Sequence, residues 1–398
     1  MKGKRAAAAA MSAMLILLMS RNAFAFGSNV DMSPHQSSYE RERTSEEWAK
    51  LRDNRIDWDE LRDLVHEYNP TVSELWIRFR DNEHDGLYHV GISSALEAVE
   101  QRYSEASSRA GTDIEQAMAD LEYQTSSVRT ALDSTAQSTD REAARAQIEQ
   151  TEQTVTETIR KSIITIRSSE EQRKLFALKA SHNQSLYEAA VRREAAGQGT
   201  ALDTLMTKES WEQSALSLQE AETQLKKLRQ LLAVNLGWKY DASPELCAVP
   251  LPTAEQLSGL HLDTDTKLAL QNNLAIRISE RKQAVSGTDG QVNQLGLRIE
   301  NQKEAVRSDM ISRYQAVKQA EGGLSQARLT AQNAAAALQK AERSFSLGAA
   351  SARDLEQARF AAESAELSVR IAEYSLASEY YDYLAGRDGI ATANAGNE

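Results

Sequence analysis

The chain has 398 residues, 41% hydrophobic, 26% charged and 6% aromatic, with a formal net charge of −12. That length suits two or three ordinary domains, the acidic balance does not favour nucleic acid, and the single cysteine, Cys247, excludes an internal disulfide framework. The prolines are Pro34, Pro70, Pro244, Pro250 and Pro252; proline costs about 3 kcal/mol inside a helix, so the two long Pro-free tracts, rich in Ala, Leu, Glu, Gln and Arg, read as helix and argue against a β-sandwich and a doubly wound α/β enzyme.

The first 25 residues read as a secretory signal peptide. Lys2, Lys4 and Arg5 open it, an apolar run follows from Ala6 to Met19, and Ala23-Phe24-Ala25 forms a small-x-small cleavage pattern. Removing this segment takes away four cations and no acid, so the mature charge becomes −16. The apolar run is short for a membrane-spanning helix.

Residues 26–55 read as a polar N-terminal linker. A first helix is expected from Trp58 to Val65, ending near Asn69-Pro70 because the residue before proline is biased away from helix. Apolar periodicity returns from Val72 to Phe79. Leu87 to Val90 could form a short strand, which Gly86 and Gly91 confine to a few residues. Helix is expected again from Ala95 to about Leu132, an insertion, and Ser134 to Thr139 reads as a turn. One uninterrupted helix then runs from Arg141 to Ala196, about 84 Å at 1.5 Å per residue. Gly197-Gln198-Gly199 ends it, and Thr200 opens a return helix that closes at Gly237.

Residues 238–261 hold three prolines and the cysteine and read as the main linker. Helix resumes near Asp263, breaks at Ser286 to Gly290, and continues from Gln291 to Leu347. Gly348 stops it, Ser351 starts the last helix, and Gly386 ends that one. Residues 387–398, small and polar, read as a flexible tail. The last helix carries a heptad-like seam, Leu355, Ala358, Ala362, Ala365, Val369, Ala372, Leu376 and Tyr383. The return helix after Thr200 repeats it with Trp211, Ala215, Leu218, Leu225, Leu228 and Leu232. A lone helix cannot bury such a seam and needs partner helices.

Self-comparison shows a tandem repeat. Gly197-Gln-Gly199-Thr200-Ala-Leu-Asp203 matches Gly348-Ala-Ala-Ser351-Ala-Arg-Asp354 at an offset of 151. In each copy a glycine closes one helix at positive φ, and a hydroxyl residue with an acid three positions later forms a capping box. The front end repeats more weakly, Asp63 to Pro70 against Lys267 to Leu274. The organisation is thus a first helical repeat at 56–237 with the inserted helix, and a second at 262–386.

The signal peptide, the duplication, the doubled Gly-x-x-Ser/Thr-x-x-Asp turn and the Leu-x-x-x-x-Asn-Pro start at Leu64 to Pro70 resemble the TolC-type outer-membrane efflux protein family. The resemblance implies an all-α body of two tandem long helical hairpins with coiled-coil packing, assembled as a homotrimer into a helical tunnel. It implies an exported location in the periplasm or outer membrane, and as partners a periplasmic adaptor and an inner-membrane pump. It places Gly197, Gly199, Thr200, Asp203, Gly348, Ser351 and Asp354 at the tunnel entrance, where the acids could form a ring acting on cations, besides capping their helices. The sequence departs from the family where β-barrel strands belong. A membrane strand needs about 9–11 alternating residues, and those strands are weak or absent here. An exported coiled-coil scaffold without channel activity is the alternative.

No enzyme signature is present. His84 and His89 flank Asp85, but that spacing in a loop suits solvated histidines better than a metal site. No phosphate loop, nucleophile elbow or His-Glu-x-x-His occurs, and Gly287 to Gly290 lacks the ligand spacing of a calcium loop. No cofactor, metal or catalytic residue is expected.

Overall fold

A computed structural model describes residues 43–81, 88–91, 103–133, 135–138, 141–284 and 288–393. The expected signal peptide, the linker up to residue 42 and the break at Ser286-Gly287 lie outside the described residues, as do His35, His84 and Asp85. The described residues pack as two units, one within 43–105, 119–159 and 229–248, the other within 106–118, 160–228 and 249–393.

The first unit begins with α1 (Ser45–Leu51), inside the stretch expected to be a linker. Thr44 caps it with a full capping box to Glu47, and Trp48 and Leu51 are buried. β1 (Arg55–Ile56) pairs in parallel with β4 (Glu245–Leu246), so part of the proline-containing linker is also structured. A 3-10 turn (Trp58–Glu60) leads into α2 (Leu61–Tyr68) and α3 (Pro70–Asp81). Pro70 stands at the first helical position, where its missing N–H costs nothing, and Asn69 Oδ1 caps α3 by accepting from Thr71 N and Val72 N at 3.2 and 3.1 Å. The unit's core holds Leu61, Leu64, Val65, Val72, Trp76, Val155, Ile159, Leu232 and Leu236, all buried.

β2 (Tyr88–Gly91) matches the expected strand and pairs antiparallel with β3 (Thr135–Ser138), Tyr88 opposite Ser138 and Gly91 opposite Thr135. This corrects the turn expected at Ser134 to Thr139. Thr-Ala-Gln-Ser has turn-like composition, and its ladder partners lie 44 to 50 positions upstream, beyond the reach of local propensity. The inserted helix appears as a short helix at residues 103–109 and α4 (Asp113–Asp133).

Two very long helices dominate the rest. α5 (Arg141–Ala195) and α6 (Ala201–Asn235) form the first hairpin. α10 (Asp289–Ser346) and α11 (Ala352–Ala385) form the second. Between the hairpins lie α7 (Ala254–Ser258), α8 (Leu262–Asn272) and α9 (Leu274–Ala284). The second unit has a core along α10 and α11, with Ile299, Val306, Met310, Val317, Leu324, Leu376, Tyr380 and Tyr383 buried together. From Val306 to Leu324 of α10, Val306, Met310, Val317 and Leu324 with the half-buried Tyr314 and Ala320 enter that core at spacings of three or four, as a helix with one apolar stripe requires. The expected α11 seam is on the buried or half-buried side throughout, from Leu355 to Tyr383.

The tail expected to be flexible is packed at its start. A wide helical turn (Gly386–Ile390) follows α11, and Ala391 and Ala393 are buried in the same core. Small side chains fit between close helices, so low hydrophobicity there was no sign of exposure. Among the described residues no helix is long and apolar enough to cross a membrane.

Candidate functional site: the two hairpin turns

The two turns are built alike. After α5, Gly197 adopts φ +69°, Gln198 N donates to Arg193 O at 2.8 Å and Gly197 N to Glu194 O at 2.9 Å. After α10, Gly348 adopts φ +70°, Ala349 N donates to Ser344 O at 2.8 Å and Gly348 N to Phe345 O at 2.9 Å. This is the Schellman arrangement, which satisfies the carbonyls left over at a helix C-terminus.

The return helices start alike with one difference. Asp203 N donates to Thr200 Oγ1 at 3.1 Å, and Asp354 N donates to Ser351 Oγ at 3.2 Å. At the second turn the box is reciprocal, since Ser351 N and Oγ donate to Asp354 Oδ2 at 3.0 and 2.8 Å. These bonds, the hydroxyl's first and the amide's next, hold the Asp354 carboxyl below its usual range. Gly199 sits half-buried against the end of α5, where a Cβ would stand 3.1 Å from Glu194 N.

Around these turns large apolar side chains stand in solvent. Leu202, Leu205 and Met206 open α6, and Phe345 and Leu347 close α10, all exposed. Among the described residues no cluster of histidine, cysteine, aspartate and glutamate could hold a metal ion. The turns therefore offer backbone caps, two carboxylates and apolar surface, the equipment of an interface or a lining.

The structure also brings together residues that the sequence reading did not. The Glu152 carboxylate, 4% exposed, accepts from Trp76 Nε1 at 3.0 Å and Arg62 Nε at 3.2 Å, and lies 2.8 Å from His66 Nδ1. It bolts α2 and α3 to the start of α5. Burial pushes its pKa up, but the contacts with His66, Trp76 and Arg62 outweigh that and the net shift is downward. Adding 204 to Trp76 and 151 to Glu152 gives Glu280 and Lys303, which form a salt bridge at 3.4 Å. The same joint thus exists in both repeats with different chemistry. A visible signal was the offset itself. Another was Thr44-x-Glu-Glu-Trp-x-x-Leu51 against Thr253-x-Glu-Gln-Leu-x-x-Leu260, both of which form capping boxes.

No protein-family model matches the chain. No curated protein matches it. Solved structures do. The chain is similar to the outer-membrane channel OprN at 13% identity and a TM-score of 0.54, covering 93% of this chain and 97% of that one. It is similar to a membrane protein from Pseudomonas aeruginosa at 11% identity and 0.51, covering 84% and 96%. It is also similar to the open state of the MtrE outer-membrane channel of Neisseria gonorrhoeae at 14% identity and 0.50, covering 85% and 91%. What is shared is the fold, over most of each chain.

Proposed function

We propose that this chain, whose fold is that of the TolC-type outer-membrane channels, is the tunnel-forming component of an efflux or export system. Three copies would close a helical tunnel at the cell's outer membrane, working with a periplasmic adaptor and an inner-membrane pump. The observation that carries this reading is the pair of long hairpins with matching turns at Gly197 and Gly348. Duplicated hairpins with unpartnered apolar positions need neighbours to complete their packing. The turns would lie at the tunnel entrance. There Leu202, Leu205 and Met206 supply apolar contact area for the adaptor, and Asp203 and Asp354, repeated by symmetry, supply carboxylates that attract cations.

The test is reconstitution of the mature protein in planar bilayers. Asp203→Asn with Asp354→Asn is expected to lower cation selectivity; unchanged conductance and selectivity would reject the ring, and no conductance in any preparation would reject the channel.

The non-channel scaffold keeps one observation in its favour. Among the described residues β2 and β3 have four each, against the roughly 9–11 that a membrane strand requires. Single-particle images separate the two readings, since a scaffold shows no closed ring of helices.

A further inference from the structure

α10 changes its support part-way along. Between Val306 and Leu324 it is held in the core of the second unit, with Val306, Met310 and Val317 fully buried and Leu324 7% exposed. Beyond Leu324 it buries no residue; its least exposed positions there, Ala331, Ala334, Leu338 and Ala341 among them, are half-buried. Alanine offers little apolar area, so this lower arm is held more weakly than the upper one. Arg328 pairs with Glu373 at 3.0 Å near the boundary, but an exposed ion pair adds little.

Gly322 and Gly323 stand at that boundary. Glycine is the poorest helix former after proline, because it gives up most backbone freedom and bares the peptide groups to water. A glycine pair inside a helix therefore calls for a reason, and the usual ones are missing. Neither residue has positive φ. A Cβ on either would meet nothing within 4 Å, so no neighbour demands the small side chain. At the matching place in the first repeat, 151 positions earlier, α5 carries Glu171 and Gln172, both good helix formers. A groove of about 440 Å³ flanks the pair, with Leu324 and Leu329 of α10, Leu257 of α7 and Leu376 of α11 in its walls. Leu329 lines it and is still 51% exposed.

We infer that Gly322-Gly323 is a joint at which α10 bends, its lower arm swinging toward α7 so that Leu329 closes on Leu257 and Leu376. The upper arm stays fixed in the core. α11 keeps its place beside α5, where His182 stacks on Phe360 at 4.2 Å, and the weak alanine seam lets the arm slide on α11. Sharp helix kinks arise at such residue pairs, and a hinge absorbs its backbone change at a few positions. Leu329 lies about 9 Å beyond the joint, so a kink of about 20° carries it roughly 3 Å into the groove. Burial of Leu329 favours the bent form, and the unbroken helical hydrogen bonds favour the straight one. The joint belongs to the single chain, so it serves a channel and a scaffold alike.

The test uses the full mature chain carrying Cys247→Ser, Leu257→Cys and Leu329→Cys, with the glycine pair intact or with Gly322→Ala and Gly323→Ala. A disulfide needs Cα atoms within about 7 Å, so its rate of formation under oxidation reads how often the groove closes. The intact pair is expected to give the bond within one chain, and the alanine pair to slow it about tenfold, since alanine favours unbroken helix. Equal rates in the two backgrounds, or no bond in either, overturn the joint. Should the cysteine variants fail to fold, hydrogen exchange on the unaltered chain decides. Amides of residues 322–327 should exchange about tenfold faster than those of residues 171–176 of α5, and the alanine pair should remove the difference. Equal protection of the two segments in the unaltered chain overturns the joint. An alanine variant of lower mass than wild type by light scattering shows that the glycines admit a neighbouring helix, which overturns the joint and leaves the tunnel reading standing.

Discussion

The side-chain amide of Asn69 donates to the backbone carbonyl of Asn235 at 2.7 Å, tying the start of the first repeat to its end. Asn273, 204 positions later, does the same in the second repeat, donating to Gly389 O at 3.2 Å and Ala391 O at 2.8 Å. Each asparagine also caps the helix after it, Asn273 through Ile276 N at 3.1 Å. One residue thus closes a repeat with one end of its amide and starts a helix with the other.

Asn69→Ala removes a buried donor and a cap together, so a loss of about 2–3 kcal/mol is expected. Asn69→Asp keeps the cap and loses the donor, so it should unfold between the two. Urea denaturation measures both, and a loss below about 0.5 kcal/mol for the alanine variant would show that the tie contributes little.

Gly237 and Gly389 pass against those same joints at positive φ, +82° and +117°. A Cβ at Gly237 would stand 2.8 Å from Tyr68 O, and one at Gly389 2.6 Å from Asn272 O. Gly197 shares the positive φ but meets nothing within 4 Å. Gly197→Ala should therefore cost only the left-handed conformation, about 1–2 kcal/mol. Gly237→Ala adds a backbone clash and should cost clearly more. Equal thermal shifts for the two variants would contradict this.

Glu152 predicts an acid-sensitive joint. Its folded pKa lies below the ordinary carboxylate value, because the contacts from His66, Trp76 and Arg62 outweigh the burial that raises it. A depressed carboxylate stabilises above its unfolded pKa of about 4.3, and that stability is lost as pH falls through the lower folded value. Glu152→Gln should be less stable than wild type at pH 7, and the gap should narrow below about pH 4. A gap that stays constant from pH 7 to pH 3 would refute the linkage.

The two turns should differ in fraying. Ser351 has the reciprocal box with Asp354; at the first turn the bond described is Asp203 N to Thr200 Oγ1 at 3.1 Å. Ser351→Ala is expected to raise hydrogen exchange in the first turn of α11 more than Thr200→Ala does in α6. The reverse order would show that capping does not set local opening there.

Much of the fold was legible in the residues. Proline placement and the seam from Leu355 to Tyr383 gave the long helices, because helix propensity and a 3.6-residue period are local properties. The turns at Gly197 and Gly348 were legible for the same reason, since a positive-φ glycine and a hydroxyl cap act within a few residues. β3, the packed Ala391 and the buried α1 were not.

By itself, then, the sequence determined a duplicated, helical-hairpin chain with capped turns, since each of those is written within one stretch of backbone. Only the tertiary structure decided that Asn69 meets Asn235, that Glu152 gathers His66, Trp76 and Arg62, and that Thr135–Ser138 is a strand. Those relationships join residues far apart in the chain. Their energy comes from burying polar groups with satisfied partners, and no local pattern records which distant partner will arrive.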